Sequence, residues 1–347
     1  MPLVNTALTL EELPAPPIGK IGWPWTEQSE PLPERMPDGS EWLRISIVTP
    51  SYNQGQFIEE TIRSVLLQGY PNVEYIIIDG GSTDNTVEVI KKYEHYIAYW
   101  VSEPDKGQSN ALNKGFIRTT GQLIGWQNSD DYYYPQAFIK AAKAALELPD
   151  QDIIYGSTDY VDIGGTFLRG SNASSFDLQE MLPWVNMCNQ SMFFKNKIFK
   201  ENNFIDESWQ HCMDYEFFWR LALKGYKFHF WSDISAGFRQ HNLAKGSSKN
   251  EVISVEFLKL YQLIYRQDKL PIKVREKALQ SIQWLALHDF AASRLLLFRQ
   301  SVYVLGSISG IKYITSEIMI KYLLSLLGIK IIDKIRLIKQ RIYKSMR

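Results

Sequence analysis

Two carboxylates stand side by side, Asp130 and Asp131, at the close of the run Trp126-Gln127-Asn128-Ser129-Asp130-Asp131. Adjacent carboxylates at the end of a buried strand repel each other unless a cation relieves them. A hard divalent ion held by one or two carboxylates plus substrate phosphates is the arrangement of Mg2+ or Mn2+. The plainer alternative is a solvated turn ahead of Tyr132 and Pro135, and the position directly after a strand favours the metal. Three earlier blocks have the same character. Thr49-Pro50-Ser51-Tyr52-Asn53-Gln54-Gly55 forms a polar loop before a helix, with Tyr52 able to stack on a nucleobase and Asn53 able to cap the helix. In Asp79-Gly80-Gly81-Ser82-Thr83-Asp84, the glycines permit close backbone approach, Asp79 can accept a base or ribose hydrogen bond, and Asp84 looks like a helix cap. Ser102-Glu103-Pro104-Asp105-Lys106-Gly107 is a turn whose Asp105 shares an edge with the other two. Further on, Asn189-Gln190-Ser191 precedes an apolar strand, and Asp214 sits where a helix N-cap would sit. Arg239-Gln240-His241 closes the last strand-like run. Cys212 reads as a packed small hydrophobe, with no activating partner nearby in sequence.

These residues need a scaffold that brings them to one edge. Ile45–Thr49, Tyr75–Ile78, Ile97–Val101, Leu123–Trp126 and Ile153–Tyr155 read as buried strands. Helical patterns lie between them at Phe57–Leu67, Thr86–Tyr93, Ser109–Ile117 and Ala137–Leu146. Such alternation predicts an α/β domain, a mainly parallel sheet flanked by helices, with ligands outside the carboxyl ends of the strands. Three zones follow: a proline-rich arm over 1–43, a catalytic domain over 44–246, and a helical region over 247–347. The arm holds eight of the chain's fifteen prolines, but Trp23, Trp25 and Trp42 are costly to leave in water, so it should lie along the domain. In the tail, Leu324, Leu327, Ile331, Ile335, Ile338 and Ile342 recur at helical spacing. Residues 319–347 carry eight Lys/Arg against Asp333 alone. That pattern suits either a packed helix or one lying on an anionic membrane surface.

Composition bounds the reading. With 347 residues, 45% hydrophobic and 22% charged, the chain is ordinary globular material, and its net charge of zero gives no electrostatic case for nucleic acid. Cys188 and Cys212 are too few for a disulfide framework, and neither a signal peptide nor a spanning run of 18 apolar residues is visible. The expectation is a cytoplasmic protein. No G-x-G-x-x-G is present, which disfavours a dinucleotide fold.

Taken as an ordered series, T-P-S-Y-N, D-G-G-S-T-D, E-P-D-K-G, N-S-D-D and M-D-Y-E over about Ile45 to His241 resembles the bacterial family 2 glycosyltransferases, which have the GT-A fold. The resemblance implies a nucleoside pocket of Pro50, Tyr52, Asn53, Asp79 and Asp105, with Asn128 and Ser129 also at the donor. It implies a metal at Asp130, with Asp131 beside it and His241 contributing. Asn128 stands where the family has the first Asp of D-x-D, which leaves the metal more dependent on Asp130 and His241. Asp214 matches the general base of the family's E-D pair, with Met213 in place of the Glu, and Gln190 matches a polar position near the acceptor. The implied reaction is inverting transfer of a sugar from a nucleotide-diphosphate donor, with Mg2+ or Mn2+, to a saccharide or lipid-linked hydroxyl acceptor in cell-surface polysaccharide or glycolipid synthesis. Two alternatives stay open: a catalytically inactive sugar- or nucleotide-binding module, and a sugar-phosphate nucleotidyltransferase. The second would want an early Gly-rich loop with a basic residue, which Pro50–Gly55 lacks.

Overall fold

The computed structural model describes residues 6–171, 173–242, 251–334 and 337. Two compact units are formed, one from Met1–Phe176 with Asn186–Ser248 and one from Asp177–Val185 with Lys249–Arg347. The boundary expected at Gly246 lies outside the described residues.

The first unit is built in the order β1 (Ile45–Ser51), α1 (Ile58–Leu66), β2 (Val73–Asp79), α2 (Thr86–Lys92), β3 (Tyr99–Ser102), α3 (Gln108–Phe116) and β4 (Leu123–Trp126). It continues through β5 (Tyr132–Tyr133), α4 (Ala137–Glu147), β6 (Ile153–Val161), β7 (Phe167–Gly170), β8 (Met192–Lys195), α5 (Lys197–Lys200), α6 (Met213–Leu223) and β9 (Phe228–Arg239). All of these strands join one sheet in the order β3-β2-β1-β4-β8-β6-β9-β5, with β7 paired to β6.

The sheet has two halves. From β3 to β4 every pairing is parallel, because each strand is followed by a helix that carries the chain back to the same starting edge. From β8 onward the sheet is mixed: β4–β8, β6–β8, β6–β7 and β5–β9 are antiparallel and β6–β9 is parallel. In the parallel half Ser51, Asp79 and Ser102 lie in register, so β1, β2 and β3 end on one line. Every residue of β1 and β2 is buried, as expected of strands covered on both faces. Proline is rare in central strands. Pro50 is tolerated because its missing N–H would face the β4 side, past the last β1–β4 pair, Val48↔Trp126.

The arm lies against this unit, as its tryptophans require. Leu8, Leu13, Trp25 and Trp42 are buried. A fully buried guanidinium on α1, that of Arg63, donates to the carbonyls of Pro14 (2.8 Å), Pro24 (3.0 Å) and Trp25 (3.1 Å). Trp23 donates its indole N–H to the carbonyl of Tyr133 at 2.8 Å. A proline-rich segment cannot pair its backbone in a sheet, so side chains of the domain satisfy its carbonyls instead.

The second unit packs α7 (Glu251–Tyr265), α8 (Ile272–Ala291), α9 (Leu295–Ser309) and α10 (Ser316–Leu326) around Phe257, Tyr261, Leu279, Ile282, Phe298 and Leu305. Among the described residues no helix is long and apolar enough to cross a membrane. The tail departs from the single helix that its periodicity suggests. The helix α10 stops at Leu326, Gly328 takes φ +86, and helix resumes over 329–334. A glycine in the left-handed region is the usual helix stop. Of the expected stripe, Leu324 is half-buried, Leu327 and Ile331 are exposed, and Ile335, Ile338 and Ile342 lie outside the described residues.

Candidate active site

The loops at the carboxyl ends of β1 and β2 are fastened to one another. Asn53, at φ 52, donates its N–H to Ser82 Oγ (2.7 Å) and accepts from the N–H of Thr83 (2.8 Å). Asp84 accepts from the N–H of Gly55 (2.9 Å) with one oxygen and from the N–H of Thr86 (3.0 Å) with the other. So Asp84 serves the first turn of α2 although Asn85 occupies the N-cap position, and Asn53 is not the cap of α1, whose N-cap is Phe57. Gly55 lies close under α2's start: a Cβ there would sit 1.9 Å from the side-chain oxygen of Asn85, which would have to turn away.

Asp79 faces inward. Its carboxylate is fully buried and accepts from the N–H groups of Gly81 (3.2 Å) and Ser82 (2.9 Å) and from the hydroxyls of Ser82 (2.5 Å) and Ser102 (2.6 Å). With these donors already in place, Asp79 shapes the loop that a nucleoside would meet. Asp105 is half-buried and accepts from the N–H of Gly107 at 2.7 Å. It lies so close to Gly80 that a Cβ on that glycine would be 2.8 Å from its carboxylate. The structure therefore brings the third loop onto the second. Pro50 is enclosed in β1, while Tyr52 is 60% exposed, leaving its ring available for stacking.

At the end of β4, the two adjacent aspartates turn opposite ways. Asp131 is 1% exposed. Its Oδ2 accepts from Gln190 Nε2 (2.8 Å) and Asn128 Nδ2 (3.0 Å), and its Oδ1 accepts from the N–H of Arg239 (2.8 Å). Burial, and then the neighbouring Asp130 charge, push its carboxyl well above the usual carboxylate range, against the pull of those three donors. This placement differs from the expected metal contact: both oxygens are spent inside the protein. Gln190, expected near an acceptor, is itself buried and spent on Asp131. Asn128 also accepts from Trp126 Nε1 and Gln108 Nε2, both at 2.9 Å.

Asp130 turns outward and meets His241, whose Nε2 lies 3.0 Å from its Oδ2. The imidazole packs on Phe57, ring centroids 4.6 Å apart. Among the described residues no group of three or more His, Cys, Asp or Glu is placed to hold a metal. One carboxylate with substrate phosphates is nevertheless a donor set that Mg2+ or Mn2+ accepts, and the imidazole beside it is a donor for a transition ion such as Mn2+ rather than for Mg2+. The pair fits the metal on those terms.

The main chain of this loop is anchored at three successive carbonyls. Thr61 Oγ1 on α1 donates to the carbonyls of Ser129 (3.0 Å) and Asp131 (2.6 Å), and Arg239 Nε donates to that of Asp130 (2.9 Å). Sequence reading missed Thr61, whose partners are about seventy positions away, and Glu60, whose carboxylate pairs with Arg239 at 3.0 Å from much farther along the chain, since a polar residue on a helix face gives no local signal of either.

Asp214 occupies the first turn of α6, inside the helix and two residues past the Cys212 N-cap position, and is half-buried. The adjacent Met213 accepts from Ser109 Oγ on α3 at 2.7 Å. Burial raises the Cys188 thiol to about 11, with the Asp214 and Asp131 charges both adding. A thiol so raised is inert, as is expected of a cysteine packed for its bulk.

Comparison with known proteins agrees with this geometry. The family model described as glycosyl transferase family 2 matches residues 46–219. An uncharacterized glycosyltransferase of Rickettsia felis is 30% identical over 217 residues, 59% of this chain, and the match spans 35% of that relative's length. Among solved structures, S. aureus TarS in complex with UDP-GlcNAc superposes with TM-score 0.54 at 17% identity, over 82% of this chain and 80% of that one. The mannosyltransferase PcManGT of Pyrobaculum calidifontis, in complex with GDP-Man and Mn2+, does so with TM-score 0.51 at 14% identity, over 82% and 84%. At such identities the structural likeness speaks for the fold, which is of the GT-A type. The family match stops at residue 219, short of Arg239 and His241, whose contacts with Asp130 are read from the structure. With half its length matched and the blocks gathered on one sheet edge, the chain belongs to glycosyl transferase family 2.

Proposed function

We propose that the chain is a metal-dependent, inverting glycosyltransferase that moves a sugar from a nucleotide-diphosphate donor to a hydroxyl of a saccharide or lipid-linked acceptor. The observation that carries this reading is the contact of the partly exposed Asp130 with the buried His241 imidazole, 3.0 Å apart, Asp130 standing on a loop whose carbonyls are fixed from α1 and β9. Tyr52 stacks on the base, and the loops shaped by Asn53, Asp79 and Asp105 enclose the nucleoside. Asp130 and His241 are the residues that would hold Mg2+ or Mn2+. A bound ion of this kind supplies neutralisation of the charge that builds on the leaving diphosphate. Asp214 takes the proton of the acceptor hydroxyl as its oxygen bonds to the anomeric carbon and the bond to the diphosphate breaks. A single base opposite the leaving group gives inversion, and such base catalysis contributes ~10²–10⁴-fold. Asp131, Asn128, Ser129 and Gln190 hold the loop rather than the ion. The experiment is a screen of nucleotide-sugars for thermal stabilisation with and without Mn2+, followed by transfer to candidate acceptors. A donor at 100 times its Kd adds about 2.7 kcal/mol. Stabilisation that ignores the metal, with no donor turnover, turns the reading into that of a binding module.

The same reading places the acceptor at an anionic bilayer, at its cytoplasmic face. Supporting it are the exposed Leu323, Leu326, Leu327, Ile329 and Ile331 and the basic excess of 319–347. Each Lys or Arg near an anionic surface adds roughly 1 kcal/mol, so a few give reversible attachment. Full-length protein should sediment with phosphatidylserine vesicles at low salt, and protein lacking 319–347 should not; equal recovery of both in the supernatant rejects the contact.

A further inference from the structure

A buried cation at the end of β9 carries more than its own ion pair. The Arg239 side chain is 2% exposed and spends every arm of its fork: Nη2 on Glu60 of α1 (3.0 Å), Nη1 on the carbonyl of Ile163 (2.7 Å), Nε on the carbonyl of Asp130 (2.9 Å). Its plane lies over Phe57 and Tyr132, 5.2 and 5.4 Å from the ring centres. A buried ion pair is weak evidence for stability, since desolvation offsets most of its attraction. What this one does supply is geometry. The Nε contact fixes the peptide from which the Asp130 side chain departs. The Arg239 N–H holds Asp131, and two residues later the same chain carries His241. One residue thus grips the Asp130 main chain and the Asp131 side chain, stacks on the same Phe57 ring as the imidazole, and stands two positions before His241.

We infer that Arg239, neutralised by Glu60, is a positioning residue that aims Asp130 and His241 at a common metal; the inference rests on the metal reading of that pair. Lysine at 239 keeps the charge but has no fork, so it can pair with Glu60 and not hold both carbonyls as well. The test uses the full chain and follows melting temperature against Mn2+ concentration with UDP, GDP or inorganic pyrophosphate as probe, together with UDP and GDP affinity in EDTA. For Arg239→Lys, half-maximal stabilisation should need about ten-fold more Mn2+, the usual cost of losing a residue that orients a metal ligand. Nucleotide affinity in EDTA should stay at the parent value. Glu60→Gln, which leaves a neutral acceptor for the guanidinium, should show a smaller rise in the same direction and decides the matter if Arg239→Lys does not fold. Mn2+ requirements within roughly two-fold of the parent in the folded variants would reduce Arg239 to a packing role. Mn2+-linked stabilisation that is missing in the parent, or that survives in Asp130→Ala, sinks the metal reading itself, and the inference with it.

Discussion

The two halves of the sheet's carboxyl rim are held together by different means. In the parallel half, three loops are tied by short hydrogen bonds between side chains and main chain: Asn53 to Ser82 and Thr83, Asp84 to Gly55, Asp79 to Ser82 and Ser102. Partners there sit about thirty positions apart or fewer, and the loops close over one another. In the mixed half, the Asn128–Asp131 loop is held by buried charge and by partners from α1, the approach to β8 and the end of β9. A local lattice, its Asp79 and Asp84 carboxylates satisfied by nearby N–H groups and hydroxyls, suits a surface that would recognise a nucleoside. A charged, long-range frame suits two donors that must meet at one ion, because it fixes direction as well as position.

The largest effect should come from the mixed half. Asp130→Ala removes one of the two proposed metal donors and should lower transfer by roughly three orders of magnitude, since charge stabilisation by a metal is worth several kcal/mol. Asp130 is partly exposed and its main-chain anchors are retained, so the melting temperature should stay near the parent's. Near-normal turnover with Mn2+ would move the metal elsewhere. Asp214→Asn should be of the same order, with turnover down ~10²–10³-fold and stability little changed. Loss of melting temperature with turnover intact would leave Asp214 only a structural place in the first turn of α6.

Asp131→Asn tests the contrast between neighbours directly. Both Asp131 oxygens accept from N–H donors, so an amide NH2 must face at least one of them. The cost should lie near the low end of about 1–3 kcal/mol, the range for an unsatisfied buried donor, because the amide also relieves the buried charge that lifts the Asp131 carboxyl. Chemical denaturation should therefore show Asp131→Asn destabilised and Asp130→Asn not. Equal behaviour of the two would erase the distinction between an inward and an outward carboxylate.

Much of the parallel half was legible in the chain. Each strand there is a buried apolar run followed at once by its turn residues, so strand, loop and helix declare themselves locally, as Tyr75–Ile78 before Asp79-Gly80-Gly81 does. The mixed half was less legible for a physical reason. Asp130 and Asp131 are identical in type and adjacent, and what separates them is Gln190, 59 residues away, and Arg239, 108 away. The order in which β8, β6 and β9 pair is likewise decided by packing across the sheet. Gly328 was visible, but periodicity counts apolar positions and passes over the one residue that stops the helix.

The smallest expected effect belongs to the parallel half and sharpens the comparison most. Ser82 Oγ donates to Asp79 at 2.5 Å and accepts from the N–H of Asn53 at 2.7 Å, so one hydroxyl joins the first and second loops. Ser82→Ala deletes both bonds. Asp79 keeps three other donors, and the Asn53 N–H, at an exposed position, can turn to water, so the loss should be near 1 kcal/mol. If this half only recognises the nucleoside, that energy is lost equally from ground state and transition state. The donor KM should then rise by roughly five-fold with kcat unchanged, the signature of uniform binding. A kcat that falls in step with kcat/KM would mean that the loop at Ser82 also places the anomeric carbon. The division of the rim into a recognising half and a reacting half would then fail at its most conservative test.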